Sequence, residues 1–525
     1  MNSPIKVTLF GFFFAILSIF ACQNEDQSID QALHAVPTNS TVVTAFDLPT
    51  LMRKANFAAV QQMEFYQFFQ QKAQAESDML ATVFTHPENA GIDLTQNAYL
   101  SIELNPDNPE DIYTGVIFNL TSEKDFAAFA NALKGAELDE RGNYKLVELN
   151  ESTQIAWNER IGVIILGEEI YENQEVVDAF FTPATDNSLA DNPDLAEVLA
   201  QKHDVTTWLT SNALAQNKSA KLALSLAKIK PEAINDNFVH GFVDFEPGKV
   251  NAQLDFFFQK DLIEDVNLLF KEKVRTDFTP YIDGSNLNIF VTAALSFDGL
   301  HQALNKRSQV KMFVDFALKS YGLSIKKLKD ALDGDMVFAT YTGNVNNRQE
   351  GLFAIKLNQT ATFEAILAIA EDNELVTKTG RGRYLVSPSL NKMLSSFLPM
   401  DLGSEFDNQL IIHEDIAFLS GNINRLDAIE NGTIAKTDQI PQNIQAIANE
   451  NPIGILVDFN SMKRVGVPLG IDLDEIACLG NQEGVDFQLT MKNKKVNSLQ
   501  AIFEAINREF LKTREQKQPV SQEKS

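Results

Sequence analysis

Two spacings of apolar residues alternate along the chain. Short runs such as Val42-Val43-Thr44-Ala45-Phe46, Gly115-Val116-Ile117-Phe118-Asn119-Leu120 and Ile161 to Leu166 are rich in β-branched and aromatic residues, and they predict strands. Between them lie stretches with apolar residues three and four apart, which predict amphipathic helices. The clearest is a long helix carrying Phe57, Val60, Phe65, Phe68, Phe69, Met79, Leu80 and Val83. Val, Ile and Phe alternating with polar residues point to antiparallel strands covered on one face, with the helices returning over that face.

The same pattern recurs in the same order about 248 residues further on, the separation of Val43-Thr44-Ala45 from Val291-Thr292-Ala293. At that offset Phe65 and Phe68 meet Phe313 and Phe316. Gly115 to Leu120 before Phe126-Ala127-Ala128-Phe129 is answered by Gly351 to Leu357 before Phe363-Glu364-Ala365-Ile366. Arg141-Gly142-Asn143-Tyr144 is answered by Arg381-Gly382-Arg383-Tyr384, Ile161 to Leu166 by Ile416 to Leu419, and Thr206-Thr207-Trp208-Leu209 by Gly454-Ile455-Leu456-Val457. Gly241 to Phe245, with Asn251 to Leu254, matches Gly484 to Leu489, and each end feeds a helix, Leu262 to Phe270 or Leu499 to Phe510. Any one pair is noise, but the shared order is not. The expected fold is α+β, a tandem duplication of two similar modules at 33–275 and 276–513, each an antiparallel β-sheet with packed helices. Because Phe recurs at matching helical positions in both modules, those rings are expected in the cores.

The first residues follow neither spacing. Lys6 precedes an uncharged run from Leu9 to Ala21, which is short of the roughly 18 apolar residues a permanent membrane span needs. The run ends at Ile19-Phe20-Ala21-Cys22, which resembles a lipobox, where bacteria attach diacylglycerol to cysteine before cleavage. Ala21 and Ile19 fit that motif, whereas Phe20 departs from the usual small or medium residue. The other reading is an ordinary secretory signal with Cys22 incidental. The expectation is a signal peptide over 1–21, lipidation with palmitate-like chains at Cys22, and a polar tether over 22–32. Residues 514–525 are almost wholly polar and are expected to be a disordered tail. Two or three acyl chains at about 0.8 kcal/mol per buried methylene would hold the protein to a membrane stably. The acidic residues Glu25 and Asp26 after Cys22 resemble a surface-export signal, or they are a plain solvated leash. The expected location is therefore the bacterial envelope, on the outer membrane, facing either the periplasm or the exterior.

Charge narrows the partners. A net charge of −27 over 525 residues argues against nucleic acid, because phosphate binding needs clustered Lys and Arg. Of the two cysteines, Cys22 is assigned to lipid, which leaves Cys478 no partner for an intramolecular disulfide. Its apolar context, Ile476-Ala477-Cys478-Leu479, reads as a buried thiol.

One resemblance can now be given. Val36-Pro37-Thr38-Asn39-Ser40, then Val42 to Leu48, then Leu51-Met52-Arg53-Lys54-Ala55 resembles the start of the Bacteroidetes lipoproteins called domain of unknown function 4836. Gly91-Ile92-Asp93-Leu94 before a strand, and Ser188-Leu189-Ala190-Asp191-Asn192-Pro193-Asp194 before Trp208, are similar to that family too. The resemblance implies an envelope lipoprotein. It brings no activity and no site to carry over.

Catalytic and metal motifs are thin. The histidines His34, His86, His203, His240, His301 and His413 show no metal-ligand spacing, and no G-x-S-x-G elbow appears. His413-Glu414-Asp415 falls between two expected strands, opposite Trp157-Asn158-Glu159-Arg160, and reads as a turn before it reads as a ligand set. Gly380-Arg381-Gly382-Arg383 lacks the context of a phosphate loop and reads as a hairpin. Asn105 to Asp111 and Asp333-Gly334-Asp335 offer oxygen ligands for calcium without EF-hand spacing. The expectation is no catalytic residue, no cofactor and no metal. The leading role is a non-catalytic binding or assembly module for a protein or glycan, with a groove between the modules as its site. A hydrolase with a carboxylate pair and a structural spacer remain as alternatives.

Overall fold

The structure is a computed structural model that describes residues 30–104, 112–133, 138–168, 170, 173–182, 188–217, 221, 225, 233–274, 276–282, 287–342, 349–397, 408–434, 451–460 and 470–517. The signal run, the lipobox with Cys22, and the acidic stretch Asn105 to Asp111 lie outside them.

The first ten strands are β1 (Val42–Phe46), β2 (Ala98–Leu104), β3 (Ile112–Asn119), β4 (Leu138–Arg141), β5 (Tyr144–Asn150), β6 (Thr153–Trp157), β7 (Ile161–Leu166), β8 (Val205–Thr210), β9 (Phe238–Glu246) and β10 (Lys249–Phe257). The next ten are β11 (Leu287–Ala294), β12 (Leu332–Thr342), β13 (Gln349–Leu357), β14 (Val376–Gly380), β15 (Arg383–Val386), β16 (Gln409–His413), β17 (Ile416–Ser420), β18 (Ile453–Asp458), β19 (Leu473–Gly480) and β20 (Gly484–Met491). All pair antiparallel in one sheet. From one edge to its centre the order is β4-β5-β6-β7-β3-β2-β1-β8-β9-β10. From the other edge it is β14-β15-β16-β17-β13-β12-β11-β18-β19-β20. The two lists match strand for strand, and β10 and β20 join them from Lys249↔Thr490 to Asp255↔Gly484.

One detail of the expected internal match changes. The counterpart of β20 is β10, and the counterpart of β9 is β19, whereas the sequence pattern laid both β9 and β10 on Gly484 to Leu489. The two hairpins opened by Arg141-Gly142 and Arg381-Gly382 do correspond. Each turns on a glycine at positive φ, 55° at Gly142 and 68° at Gly382, where any Cβ would be strained.

The expectation that one face of each sheet is covered also needs correcting. In β3, Val116 and Phe118 enter one buried cluster, while Ile117 between them enters another on the opposite face. In β7, Ile164 likewise faces away from Val163 and Ile165. Consecutive apolar residues in these central strands are the signature of burial on both sides.

On one face of the first half lie the helices Leu48–Ala55, Phe57–Val60, Glu64–Glu76 and Asp78–Thr85. The expected single long helix is thus three pieces. Asn56, in a left-handed conformation, separates the first two of the four, and Ser77 caps Asp78–Thr85 by accepting from the Met79 N–H. Both ends of the folded body run past their expected limits. Asp30 already accepts from Tyr99 and from Asn119 Nδ2 (2.9 Å), and Ala32 is fully buried, so the tether ends before residue 30. At the other end, helix Ser498–Lys517 carries on beyond 513.

The terminal helix of each half packs on the opposite half. Helix Lys260–Leu269 follows β10 but lies against helix Phe297–Lys306. Helix Ser498–Lys517 follows β20 but lies against Leu48–Ala55 and Glu64–Glu76. Together with the β10–β20 pairing, this exchange ties the halves together.

Candidate functional site

The strands flanking the junction are polar on one face. Register and the two-residue alternation of a strand place Phe242 and Asp244 of β9, Asn251 and Gln253 of β10, Gln488 and Asp486 of β20, and Ala477 and Leu479 of β19 on the same side of the sheet. These residues and His203 line a cavity of about 340 Å³. Its floor is the seam between the halves. Gln253, Asp486 and Gln488 are exposed there, where the equivalent faces further out are packed with Trp208 on one side and Leu456 on the other.

The groove is held by a network that starts in the core. Asp204, only 3% exposed, takes both carboxylate oxygens to Lys54 Nζ (2.6 and 2.8 Å) and also accepts the Phe245 N–H at 2.6 Å. The Asp204 N–H in turn donates to Asp244 Oδ1 at 3.2 Å, and Asp244 Oδ2 sits 2.7 Å from His203 Nδ1. The His203 ring lies on Phe242 with centroids 4.4 Å apart. Across the seam Gln488 Nε2 donates to Asn251 Oδ1 at 2.9 Å; within β10, Gln253 Nε2 donates to Asp255 Oδ1 at 2.8 Å. The result is a shallow site with carboxamides, carboxylates, one imidazole and the rings of Phe242 and Phe487.

Cys478 occupies β19 beside this groove, but its neighbours Ala477 and Leu479 are the residues on the groove side, so it points to the other face. Burial, with help from the Asp486 charge, raises its thiol above the usual range, so it stays protonated at neutral pH. His240, one strand position from the groove, is buried against Phe257, with centroids 4.2 Å apart. Burial lowers its pKa, which keeps the ring neutral.

The other sequence candidates fall elsewhere. His413-Glu414-Asp415 forms the β16–β17 turn with Glu414 at φ 54°, and Asp415 accepts from Lys356 Nζ at 2.7 Å. Arg383 of the glycine-arginine hairpin is engaged by Asp427 (2.5 Å) and Glu430 (2.7 Å), so that guanidinium is spent on ion pairs. Asp333-Gly334-Asp335 lies in strand β12 instead of a loop. Lys271 Nζ reaches Asp333 at 2.8 Å and the fully buried Asp335 at 3.2 Å, an arrangement that occupies both carboxylates with one cation. Among the described residues no group of three or more His, Cys, Asp and Glu is placed to hold a metal ion. No helix among them is long and apolar enough to cross a membrane.

A groove between the halves was anticipated, but its side chains were not. The available signal was the parity of β10 and β20. Asn251, Gln253 and Asp255 alternate in one, Asp486, Gln488 and Thr490 in the other, and so interrupt the apolar pattern at matching places.

Among known proteins, none of the curated ones matches the chain. A solved structure titled "Structure of crystal form I of TP0453" aligns over 44% of this chain and 80% of its own, at 9% identity and a TM-score of 0.24, a likeness too slight to argue from. The profile described as "Domain of unknown function (DUF4836)" matches residues 34–382, which takes in all ten strands of the first half and runs to the β14–β15 turn. A match over more than half of the sequence places it, and the chain belongs to this family of unknown function.

Proposed function

We propose that this is a lipid-anchored envelope protein, a tandem duplication whose seam forms a non-catalytic binding groove for a glycan. The anchor is diacylated Cys22, the setting is the outer membrane, and the body needs no cofactor for this role. The duplication is supported by the matching strand orders of the two halves. The anchor rests on the sequence Ile19-Phe20-Ala21-Cys22 after an apolar run.

The observation that carries the binding role is the exposed polar seam. Asn251, Gln253, Asp486 and Gln488 present paired donors and acceptors suited to sugar hydroxyls, and Phe242 with His203 supplies a ring surface beside them. A net charge of −27 disfavours an acidic ligand.

The test is calorimetric titration of neutral soluble oligosaccharides into the mature chain and into an Asn251→Ala/Gln488→Ala variant. Saturable binding by the wild type, weakened roughly 10-fold or more in the variant, is expected, since each lost hydrogen bond contributes about 0.5–1.5 kcal/mol. Binding that ignores the double substitution, or none across the panel, would overturn the assignment. A titration that ends in cleaved sugar would turn it into a hydrolase.

A further inference from the structure

Outside the groove, one surface breaks the rules that govern the rest of the molecule. Helix Ser308–Lys319 contains no buried residue. Its half-buried side carries Val310, Val314 and Leu318, yet Met312, Phe313 and Phe316 point outward with 61%, 66% and 78% of their surface exposed. Gln309, Met312, Phe313 and Phe316 have the i, i+3, i+4, i+7 spacing of a single helical stripe. Tyr321, 52% exposed, extends the apolar surface past the end of the helix.

The charge around this stripe is opposite to that of the protein. Between residues 306 and 330 stand Lys306, Arg307, Lys311, Lys319, Lys326, Lys327 and Lys329, seven cations against Asp315 and Asp330, in a chain of net charge −27. Lys319, Lys326 and Lys327 are exposed, and Lys329 is paired with Asp298. The corresponding stretch of the first half, Phe57 to Ala90, has the reverse balance, with Glu64, Glu76, Asp78 and Glu88 against Lys72. There the matching rings are covered, Phe65 by Phe503 and Phe68 by Phe510.

We propose that helix Ser308–Lys319 and the lysines beside it dock the second half of the body on a bilayer surface rich in anionic phospholipid. An outward aromatic and methionine stripe bordered by Lys and Arg is the composition of a helix lying in the headgroup plane. The cations meet anionic headgroups while the rings enter the acyl boundary, and both terms are needed for a lasting contact. A basic patch retained on an otherwise acidic body marks a partner of negative charge. The outward rings require that partner to offer an apolar layer beneath the charge, and an anionic bilayer has both. The surface is separate from the seam groove, so the two proposals stand or fall independently.

The experiment uses the mature chain, residues 22–525 with Cys22→Ser, which keeps every described residue and removes any acyl contribution. It is sedimented with vesicles of phosphatidylcholine alone or of phosphatidylcholine mixed with phosphatidylglycerol. Binding to the mixed vesicles only, weakened by salt, is expected. Phe313→Ser and Phe316→Ser should each lower affinity by roughly 10-fold. Lys319→Glu, Lys326→Glu and Lys327→Glu should each lower it by at least about fivefold. Tryptophan at position 316, introduced as Phe316→Trp, should shift its emission to the blue on the mixed vesicles. Equal binding to both vesicle types, or affinity untouched by these exposed substitutions, overturns the proposal. So does a dimer in sedimentation velocity that Phe316→Ser dissociates without any vesicle binding, which would assign the stripe to a second copy of the chain.

Discussion

Phe68 and Phe316 hold the same place in the two halves and meet opposite fates. Phe68 packs against Phe510 with centroids 5.3 Å apart, while Phe316 is 78% exposed. Their own helices do not explain this, since both follow a strand of the same topological rank and a first packed helix. The cover does. Helix Ser498–Lys517 is 20 residues long and reaches from Leu48–Ala55 across to Glu64–Glu76, where Asn507 Oδ1 also accepts the Phe65 N–H at 3.1 Å. Its counterpart Lys260–Leu269 is 10 residues long and stops beside Phe297–Lys306, because the chain then turns at Phe270 and Lys271 is pinned to Asp333 and Asp335. Two halves with the same strand order therefore carry two different surfaces, and the difference is set by the length of one helix in each half.

The strongest way to break the comparison is to remove the cover. Phe503 is 6% exposed and stacks on Phe65 with planes 3° apart. Phe503→Ala should destabilise the protein by about 3–5 kcal/mol, the usual range for a buried Phe, measured by denaturant unfolding. An effect under about 1 kcal/mol would show that the C-terminal helix lies on the first half without holding it. If the halves unfold separately, the loss should appear in the transition of the first half.

The short helix can be pried off in the same way. At Gly299 an added Cβ would sit 1.6 Å from the Leu268 carbonyl oxygen, which is backbone and has little freedom to yield. The residue three after the N-cap in the first half is Thr50, following Asp47 as Gly299 follows Ser296, and the next residue, Leu51, is buried. Gly299→Ala should cost about 1–3 kcal/mol in thermal or denaturant unfolding through this overpacking. Leu51→Ala should cost a similar or larger amount by the opposite mechanism, a cavity.

A third difference is electrostatic and depends on pH. Asp335 pairs with Ala294 across β11–β12, where Ala98 pairs with Phe46 across β1–β2. Burial raises the Asp335 carboxyl above the ordinary aspartate value, with Lys271 opposing the shift and Asp333 adding to it. The folded state then binds a proton that the unfolded chain has already lost. Stability contributed by the protonated form is present below the raised value and declines as pH climbs from the ordinary value through the raised one. Unfolding free energy measured across mildly acidic pH should show this decline in the wild type. Asp335→Asn should flatten it, and Lys271→Met should carry it to higher pH. A profile unchanged by Asp335→Asn would mean the carboxylate is paired well enough by Lys271 to offset its burial.

These contrasts also mark what the sequence could disclose. Many of the strands of each half were legible, though not their order in the sheet, because strands and turns are local patterns. Arg141-Gly142 and Arg381-Gly382 announce their hairpins, and Val43-Thr44-Ala45 and Val291-Thr292-Ala293 announce equivalent strands. A groove between the halves was an expectation from the matching sequence patterns, but its residues were not legible. Asn251 meets Gln488 only through a pairing that spans 237 positions, and nothing local in β10 specifies its neighbour. The fate of the helical rings was misread for the same reason. A phenylalanine on a regular stripe looks like core in either half, and whether a distant helix arrives to cover it is decided far along the chain.

The smallest effect is the most informative about the uncovered stripe. Phe316 makes few contacts in the folded state, so Phe316→Ser should change unfolding free energy by no more than about 0.5 kcal/mol. Phe68→Ser, at the matching place, removes a ring that lies against Phe510 and beneath Lys72 and Arg514, and it should cost measurably more. If both substitutions prove equally mild, helix Ser498–Lys517 does not hold Phe68 in solution and the two surfaces are alike. If Phe316→Ser is as damaging as Phe68→Ser, something covers Phe316 in solution. Because a bilayer is absent from such a measurement, that outcome would point to a second copy of the chain. A ring that is costless to remove from the free protein, but needed on anionic vesicles, is the signature of a side chain kept for a surface outside the fold.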